Sequence, residues 1–227
     1  MTAPVRALVF DAYGTLFDPF AVKTRAEELF PGNGAALSQL WRAKQLEYSW
    51  LRTLMGRYEN FWKITEDALV FSCRTLKLSC DEHQRNQLMQ VYLTLPAFPE
   101  VKPALEKLSH LPLSILSNGT PEMLAPLIAA NNMAHFFKNI FSVDALQMYK
   151  PRPEVYQHAA ASLEVPKESI GFISSNYWDI SGATSFGFQT FWLNRNSLVA
   201  DELGVTPTVT LQNLSVLPKF LKNPTAL

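Results

Sequence analysis

Residues 7–19 read ALVFDAYGTLFDP, and this stretch decides the fold. The run Ala7–Phe10 is apolar at every position, as in a strand of a parallel sheet that is covered on both faces. The run ends at Asp11, and Gly14 follows as a turn residue. Open α/β folds bind ligands beyond the carboxyl ends of their strands. The pattern therefore places Asp11 where a functional residue is expected.

Similar short runs recur along the chain and alternate with helical segments. The predicted strands after the first are Leu113–Leu116, Phe141–Val143, Gly171–Ile173 and Thr190–Leu193. The predicted helices between them are Val101–Ser109, Glu122–Ala130, Glu154–Leu163 and Ile180–Phe186. This alternation predicts an α/β fold with a Rossmann-like parallel sheet and helices on both of its faces.

Residues 18–97 interrupt the alternation with a helical pattern. Apolar side chains recur there at helical spacing, in the sets Leu37, Leu40, Trp41, Tyr48, Leu51, Met55 and Phe61, Ile64, Ala68, Phe71. Pro96 and Pro99 close the stretch. We predict an inserted helical cap domain at 18–97 on a core domain made of 1–17 and 98–227. An insert that follows the first strand would lie over Asp11 as a lid.

Composition narrows the class of protein. The 227 residues include 20 basic and 20 acidic side chains, and 48% of the residues are hydrophobic. This balance fits a globular protein and gives no reason to expect nucleic acid or a membrane surface as a partner. The apolar run before Asp11 is too short for a signal peptide or a membrane span. We expect a soluble, cytoplasmic protein with reduced thiols at Cys73 and Cys80.

Polar clusters follow four of the predicted strands. They are Asp11–Thr15, Ser117–Gly119, Lys150–Pro151 and Ser174–Asp179. Each cluster alone is explained by ordinary turn chemistry. Together they predict one site, because the carboxyl ends of parallel strands meet at the same edge of a sheet.

The order of these clusters resembles the haloacid dehalogenase superfamily. The stretches DAYGTLFDP, WRAKQLEYSWLR, LSNG, MYKPRPEVY and SSNYWD are similar to the L-2-haloacid dehalogenases in particular, over nearly the whole chain. The resemblance implies hydrolysis of short-chain L-2-haloacids to D-2-hydroxyacids and halide. It also implies an Asp11 alkyl ester as intermediate and a 2-haloacid as the small-molecule substrate.

Tyr13 departs from most of the superfamily, whose phosphatases carry a second aspartate there to protonate the leaving alkoxide. A phenol is a poor acid near neutral pH. A halide needs no proton to leave, because it is the anion of a strong acid. Mg²⁺ prefers carboxylate oxygens, which are few here, so we expect no metal and no other cofactor.

The resemblance assigns catalytic roles to seven residues, which are Asp11, Lys150, Asp179, Ser174, Asn176, Thr15 and Tyr156. Asp11 attacks the halogen-bearing carbon, and Lys150 balances its charge. Asp179 activates or places the hydrolytic water, with Ser174 and Asn176 helping to hold it. Thr15 and Tyr156 brace Asp11 and Lys150.

Substrate contacts are assigned in the same way, to Ala12, Tyr13, Ser117, Arg42, Asn118, Trp178, Leu46 and Phe61. The backbone N–H groups of Ala12 and Tyr13 would receive the substrate carboxylate together with Ser117. Arg42, Asn118 and Trp178 would meet the departing halide. Leu46 and Phe61 would line an apolar pocket with Tyr13. Ala43 stands where close relatives carry glutamine, which leaves the size and polarity of this pocket open.

Two other functions remain open at this point. A magnesium-dependent phosphatase for small metabolites would share Asp11, Thr15, Ser117 and Lys150. A binding protein without catalysis could use the same fold. Among single residues, Tyr156 also fits an ordinary core position and Trp178 a seal over the core. Exposed apolar residues on the cap helix would suit a homodimer.

Overall fold

The computed structural model describes residues 3–222, in which strands and helices alternate around one long helical insertion. The strands are β1 (Ala7–Phe10), β2 (Leu113–Ser117), β3 (Asn139–Ser142), β4 (Ile170–Ser174), β5 (Gln189–Leu193) and β6 (Val209–Leu211). The helices are α1 (Val22–Leu29), α2 (Gly34–Leu54), α3 (Phe61–Thr75), α4 (Glu82–Val91), α5 (Val101–Leu108), α6 (Pro121–Ala130), α7 (Pro153–Leu163), α8 (Tyr177–Phe186) and α9 (Leu217–Lys222).

The strands form one six-stranded sheet in the order β3-β2-β1-β4-β5-β6. Every neighbouring pair is parallel, which confirms the predicted α/β fold. Phe10 of β1 pairs with Ile115 of β2 on one side and with Ile173 of β4 on the other. The strand order reverses at β1, and such a reversal opens a crevice at the carboxyl ends of the strands. Asp11 follows Phe10 directly and so lies at that crevice.

The predicted strands agree with the observed ones to within about two residues, because their apolar runs are buried. Every residue of β1, β2 and β4 is buried. β6 was not predicted, because its three residues are too few for a pattern. Leu211, Leu214 and Leu217 bury their side chains there and extend the core beyond β5.

Four helices, α1 to α4, occupy the insertion after β1. Glu27 joins the first two, since its carboxylate accepts hydrogen bonds from the backbone N–H groups of Gly32 (2.6 Å) and Gly34 (2.8 Å). These bonds lower the pKa of Glu27. Between α2 and α3, the indole of Trp41 donates to the carbonyl of Thr65 at 2.7 Å. These contacts tie α1, α2 and α3 together, and the buried apolar side chains of the insertion are continuous with those of the sheet.

The insertion leaves and rejoins the sheet through two neighbouring segments. Asp18 N–H donates to the carbonyl of Pro96 (2.9 Å), and Phe98 N–H donates to that of Leu16 (3.1 Å). These contacts support the proposed domain boundaries at 17/18 and 97/98, which stay a prediction.

Within the described residues, no helix is long and apolar enough to cross a membrane. Cys73 and Cys80 are both free thiols.

Candidate active site

The loops that follow β1, β2, β3 and β4 converge on Asp11. Asp11 is buried, with only 4% of the residue exposed to solvent. Oδ1 accepts a hydrogen bond from the ammonium of Lys150 at 2.8 Å. Oδ2 accepts from Thr15 Oγ1 (3.0 Å), Asn176 Nδ2 (2.8 Å) and Ser174 Oγ (3.4 Å). One oxygen is thus held by three neutral donors and the other by a single cation.

Lys150 is fully buried between two carboxylates. Besides Asp11, its ammonium donates to Asp179 Oδ2 (2.6 Å) and to the carbonyl of Leu116 (3.0 Å). Burial by itself lowers the pKa of Lys150, but the charges of Asp11 and Asp179 outweigh burial and raise it above its ordinary value. The residue therefore stays a cation.

Asp179 lies behind Lys150 at the start of α8 and is fully buried. Burial raises its pKa to about 6, although the neighbouring Lys150 opposes the shift. Tyr156 donates its hydroxyl to Asp179 Oδ1 at 2.8 Å. Tyr156 thus braces Asp179 in this structure, whereas the sequence analysis placed it against Lys150. The reason is that α7 carries Tyr156 to the far side of the Asp179 carboxylate.

The turn after β1 has a tight backbone conformation and bonds to the loop after β4. Gly14 adopts φ +92°, a conformation that residues with a side chain rarely adopt. Asn176 Nδ2 also donates to the carbonyl of Tyr13 (3.1 Å), and Ser175 N–H donates to Thr15 Oγ1 (2.9 Å). The loops after β1 and β4 therefore hold each other in register.

The loop after β2 supports Lys150 from another side. Asn118 Oδ1 accepts the backbone N–H of Lys150 at 3.1 Å, so this side chain holds Lys150 as well as facing the site. Ser117 Oγ is buried and accepts the N–H of Gly119 at 3.1 Å. A β-carbon at Gly119 would lie 2.9 Å from the ring of Tyr13, so only glycine fits there.

A small cavity of about 10 Å³ lies against the Asp11 carboxylate. Its lining residues are Asp11, Tyr13, Arg42, Leu46, Phe61, Asn118, Asn176 and Trp178. It has room for about one water molecule. A neighbouring cavity of about 560 Å³ shares Arg42, Leu46, Asn176 and Trp178 with it. The site is therefore nearly closed but lies beside a larger opening.

Six of the eight residues predicted to contact substrate line this small cavity, and Ala12 and Ser117 do not. Arg42 is held by a residue that sequence analysis did not identify. Its guanidinium donates to Gln45 Oε1 (2.7 Å), and Gln45 Nε2 donates to Thr65 Oγ1 (2.6 Å). Ala43, whose effect on the pocket was an open question, is exposed and does not line it.

Tyr13 and Trp178 present buried polar atoms without a partner among the described residues, namely the Tyr13 hydroxyl and the Trp178 indole N–H. Burial raises the pKa of Tyr13 far above its ordinary value, so its phenol stays neutral. Trp178 packs edge-on against Trp50 with ring centroids 5.5 Å apart. Both side chains can offer an O–H or N–H edge to an anion in the cavity.

The site is thus a carboxylate with a buried countercharge. The sequence of the chain matches a known family. Residues 5–187 match the family described as haloacid dehalogenase-like hydrolase. The chain belongs to this family. Within it, the chain is 46% identical over 205 residues to an (S)-2-haloacid dehalogenase of Pseudomonas sp. (strain YL), covering 89% of this chain and 88% of that one.

Solved structures of haloacid dehalogenases share the fold. One L-2-haloacid dehalogenase superposes with a TM-score of 0.95 at 44% identity, covering 97% of this chain and all (100%) of that one. The L-2-haloacid dehalogenase of Xanthobacter autotrophicus, with chloropropionic acid covalently bound, superposes with a TM-score of 0.93 at 36% identity. That comparison covers 96% of this chain and 99% of the other.

Proposed function

We propose that this haloacid dehalogenase-like hydrolase converts short-chain L-2-haloacids to D-2-hydroxyacids and free halide. The observation that carries the proposal is the Asp11 carboxylate, which faces a small cavity while Lys150 balances its charge from behind. Curated relatives named (S)-2-haloacid dehalogenase support the same activity.

In the first step, Asp11 attacks the halogen-bearing carbon and the halide leaves with the bonding electrons. We assign the attack to Oδ1, which is held by one donor, Lys150, whereas Oδ2 is held by three. Backside attack inverts the carbon and leaves an alkyl ester on Asp11. The covalently bound chloropropionic acid in the Xanthobacter autotrophicus enzyme supports an intermediate of this kind.

In the second step, water attacks the carbonyl carbon of the ester and regenerates Asp11. Asp179 does not line the cavity, so it accepts the proton through Lys150, which gives a proton to Asp179 Oδ2 (2.6 Å) as it takes one from the water. The raised pKa still leaves Asp179 ionised near neutral pH. Negative charge develops on Oδ2 during this attack. Thr15, Ser174 and Asn176 already point their donors at that oxygen and can stabilise the charge.

The substrate carboxylate would bind at the turn after β1. Within this turn, the N–H groups that bond to carbonyls of the same turn are those of Gly14, Thr15, Leu16 and Phe17. The N–H groups of Ala12 and Tyr13 take no part in that pattern and would donate to the substrate, together with Ser117. The halide would leave toward Arg42, Asn118 and Trp178.

The donors around Asp11 do not fit a divalent metal ion. Among the residues that line the cavity, Asp11 is the sole acid. The oxygens of Asp179 bond to Lys150 and Tyr156. Within residues 3–222, no cluster of three or more His, Cys, Asp or Glu side chains could hold a metal ion. Mg²⁺ demands about six oxygen ligands in octahedral geometry, and the residues around Asp11 do not supply them.

The deciding experiment measures free chloride from L-2-chloropropionate and from chloroacetate, with and without a chelator. We expect turnover that the chelator does not change, and none with Asp11→Asn. Magnesium-dependent phosphate release from an aryl phosphate, without chloride release, would favour a phosphatase. Release of neither chloride nor phosphate in these assays would favour a binding protein.

The ester intermediate has its own test in heavy-oxygen water. With enzyme in excess, a single turnover should place the label on Asp11 and not in the hydroxyacid. Label in the hydroxyacid would mean that water attacks the substrate carbon directly.

We also propose that the protein is a cytoplasmic homodimer. Free thiols at Cys73 and Cys80 fit a reducing compartment. At the end of α2, Leu51, Leu54 and Met55 are 44%, 79% and 61% exposed. On α3, Phe71, whose ring packs edge-on against Tyr48 of α2, is 37% exposed. We call these four residues the cap patch. An apolar face of this kind on a helical cap suits a self-complementary contact.

A further inference from the structure

Arg195 lies just beyond β5 and donates four hydrogen bonds through its guanidinium group. Its side chain is 16% exposed. Nε donates to Glu100 (2.7 Å), NH1 donates to the Gly14 carbonyl (3.1 Å) and Ser175 Oγ (2.9 Å), and NH2 donates to the Thr15 carbonyl (2.8 Å). All three nitrogens of the guanidinium group are thus in use.

Two of these acceptors belong to the turn that presents Asp11. The carbonyls of Gly14 and Thr15 point at the guanidinium, while the Thr15 hydroxyl donates to Asp11 Oδ2. Arg195 therefore holds the backbone of a residue that itself touches the nucleophile. A shift of this turn would move Thr15 Oγ1 away from Asp11.

The third acceptor belongs to the loop after β4. Ser175 Oγ receives NH1, and the next residue, Asn176, donates its amide to Asp11 Oδ2. Through Arg195, the two loops that deliver donors to Oδ2 share one rigid group.

The fourth contact reaches the segment through which the cap rejoins the core. The guanidinium carbon lies 3.8 Å from the centroid of the Phe98 ring, and Glu100 pairs with Nε. Phe98 N–H in turn donates to the Leu16 carbonyl. The same side chain therefore ties this segment to the turn after β1.

A planar guanidinium group suits this position because it offers five donors in a fixed fork and a flat face for stacking. Lysine has a single nitrogen, so it could reach some of these acceptors but could not span both loops and stack on Phe98.

We propose that Arg195 is a positioning residue for dehalogenation. It locks the turn after β1 to the loop after β4, so that Thr15 and Asn176 stay on Asp11 Oδ2 in both chemical steps. Arg195 does not line the cavity at Asp11 and acts through these residues. The inference rests on the proposed function.

The test compares Arg195→Ala, Arg195→Lys and Glu100→Gln with wild type in steady-state and single-turnover chloride release. We expect kcat to fall about 100-fold in Arg195→Ala, since displacement of reacting groups by about 1 Å has effects of this size. KM should change less than about threefold, because the residue does not contact substrate. Arg195→Lys should be intermediate, and Glu100→Gln should lose less than either, since it keeps the three bonds to the loops.

Chemical rescue separates positioning from mere folding. Arg195 lines the larger cavity, so guanidinium ion at millimolar concentration can reach the space left in Arg195→Ala and should restore part of kcat. The matched control is Arg25→Ala, which removes an arginine–glutamate pair on α1. Its kcat should equal that of wild type and should not rise when guanidinium is added.

Provided that wild type releases chloride, three results would overturn the proposal. They are a kcat within threefold of wild type in folded Arg195→Ala, a loss of kcat that guanidinium does not reverse, and a matching loss in Glu100→Gln. If Arg195→Ala does not fold, Arg195→Lys decides. Reduced kcat at an unchanged melting temperature then supports the role, and wild-type kcat contradicts it. Absence of chloride release by wild type would instead refute the proposed function.

Discussion

Lys150 is the residue on which the charge balance of the site depends. One buried ammonium lies 2.8 Å from Asp11 and 2.6 Å from Asp179. Lys150→Met would leave two carboxylates in the interior without a countercharge. Removal of one partner of a buried pair destabilises proteins by about 3–5 kcal/mol. We expect a loss of this order in urea unfolding at pH 7, together with the loss of chloride release.

The control for this variant is Lys63→Met, which removes an exposed ammonium paired with Asp67. Exposed pairs contribute at most about 1 kcal/mol. Equal urea midpoints for Lys150→Met and wild type would contradict the role of Lys150.

The pKa of Asp179 determines how the second step depends on pH. Its pKa, raised by burial to about 6, leaves it protonated at lower pH and unable to accept a proton from water. Attack by Asp11 does not need that proton transfer. As the pH falls from 6 to 5, we therefore expect turnover to slow and a burst of about one chloride per active site to appear. The change should lie below pH 6, because the ester lacks the Asp11 charge that helps to raise this pKa.

Rapid-quench measurement of chloride between pH 5 and pH 8 checks this expectation. Asp179→Asn should show the burst and slow turnover at every pH. A steady-state rate that stays constant from pH 8 to pH 5 in wild type would contradict the assignment of Asp179 as base.

Helices α2 and α3 together set the position of Arg42. Gln45 on α2 accepts from Arg42 and donates to Thr65 of α3. Gln45→Leu would remove a hydrogen bond to a charged group, which contributes about 1.5–3 kcal/mol. We expect KM for L-2-chloropropionate and the inhibition constant for chloride to rise at least about tenfold.

Gln45→Glu is the matched variant, because it keeps an acceptor for Arg42. The Thr65 hydroxyl can then donate to it. This variant should bind chloride more tightly than Gln45→Leu. Equal inhibition constants in the two variants would show that Gln45 does not orient Arg42.

The elements themselves could be predicted from the sequence where local pattern determines them. The apolar run of β1 and the helical spacing of Leu37 and Trp41 correspond to buried positions in the structure. The same spacing also includes Leu51 and Met55, which are exposed. Periodicity identifies which residues share a face of a helix, but not how far along the helix a neighbour covers that face.

Three hydrogen bonds hold the insertion over the sheet on the side of Lys150. Tyr58 donates to Asp144 (2.5 Å), Tyr149 N–H donates to Thr53 Oγ1 (3.1 Å), and the Tyr149 hydroxyl donates to the Glu59 carbonyl (2.6 Å). These contacts help to close the small cavity, which takes residues from both the insertion and the sheet.

The cap patch gives a prediction at this scale. We expect wild type to be a dimer by light scattering after size exclusion, and the double variant Leu54→Asp, Met55→Glu to be a monomer. The activity of the variant should match wild type, because neither residue lines the cavity at Asp11. Leu203→Asp changes an apolar residue of similar exposure (53%) elsewhere and should remain a dimer. A wild-type monomer would contradict the proposal.

Sequence patterns were enough to predict β1 to β5, a helical stretch after β1 and the meeting of Asp11, Lys150 and Asp179. Buried parallel strands need continuous apolar runs, and their polar ends meet at one edge. Three contacts depend on the packing of distant segments: Gln45 holds Arg42, Tyr156 bonds to Asp179, and Arg195 bonds to the turn after β1. Arg195 and Gly14 are 181 positions apart along the chain. A contact at such a separation depends on how the loops pack, and no local pattern of residues encodes it.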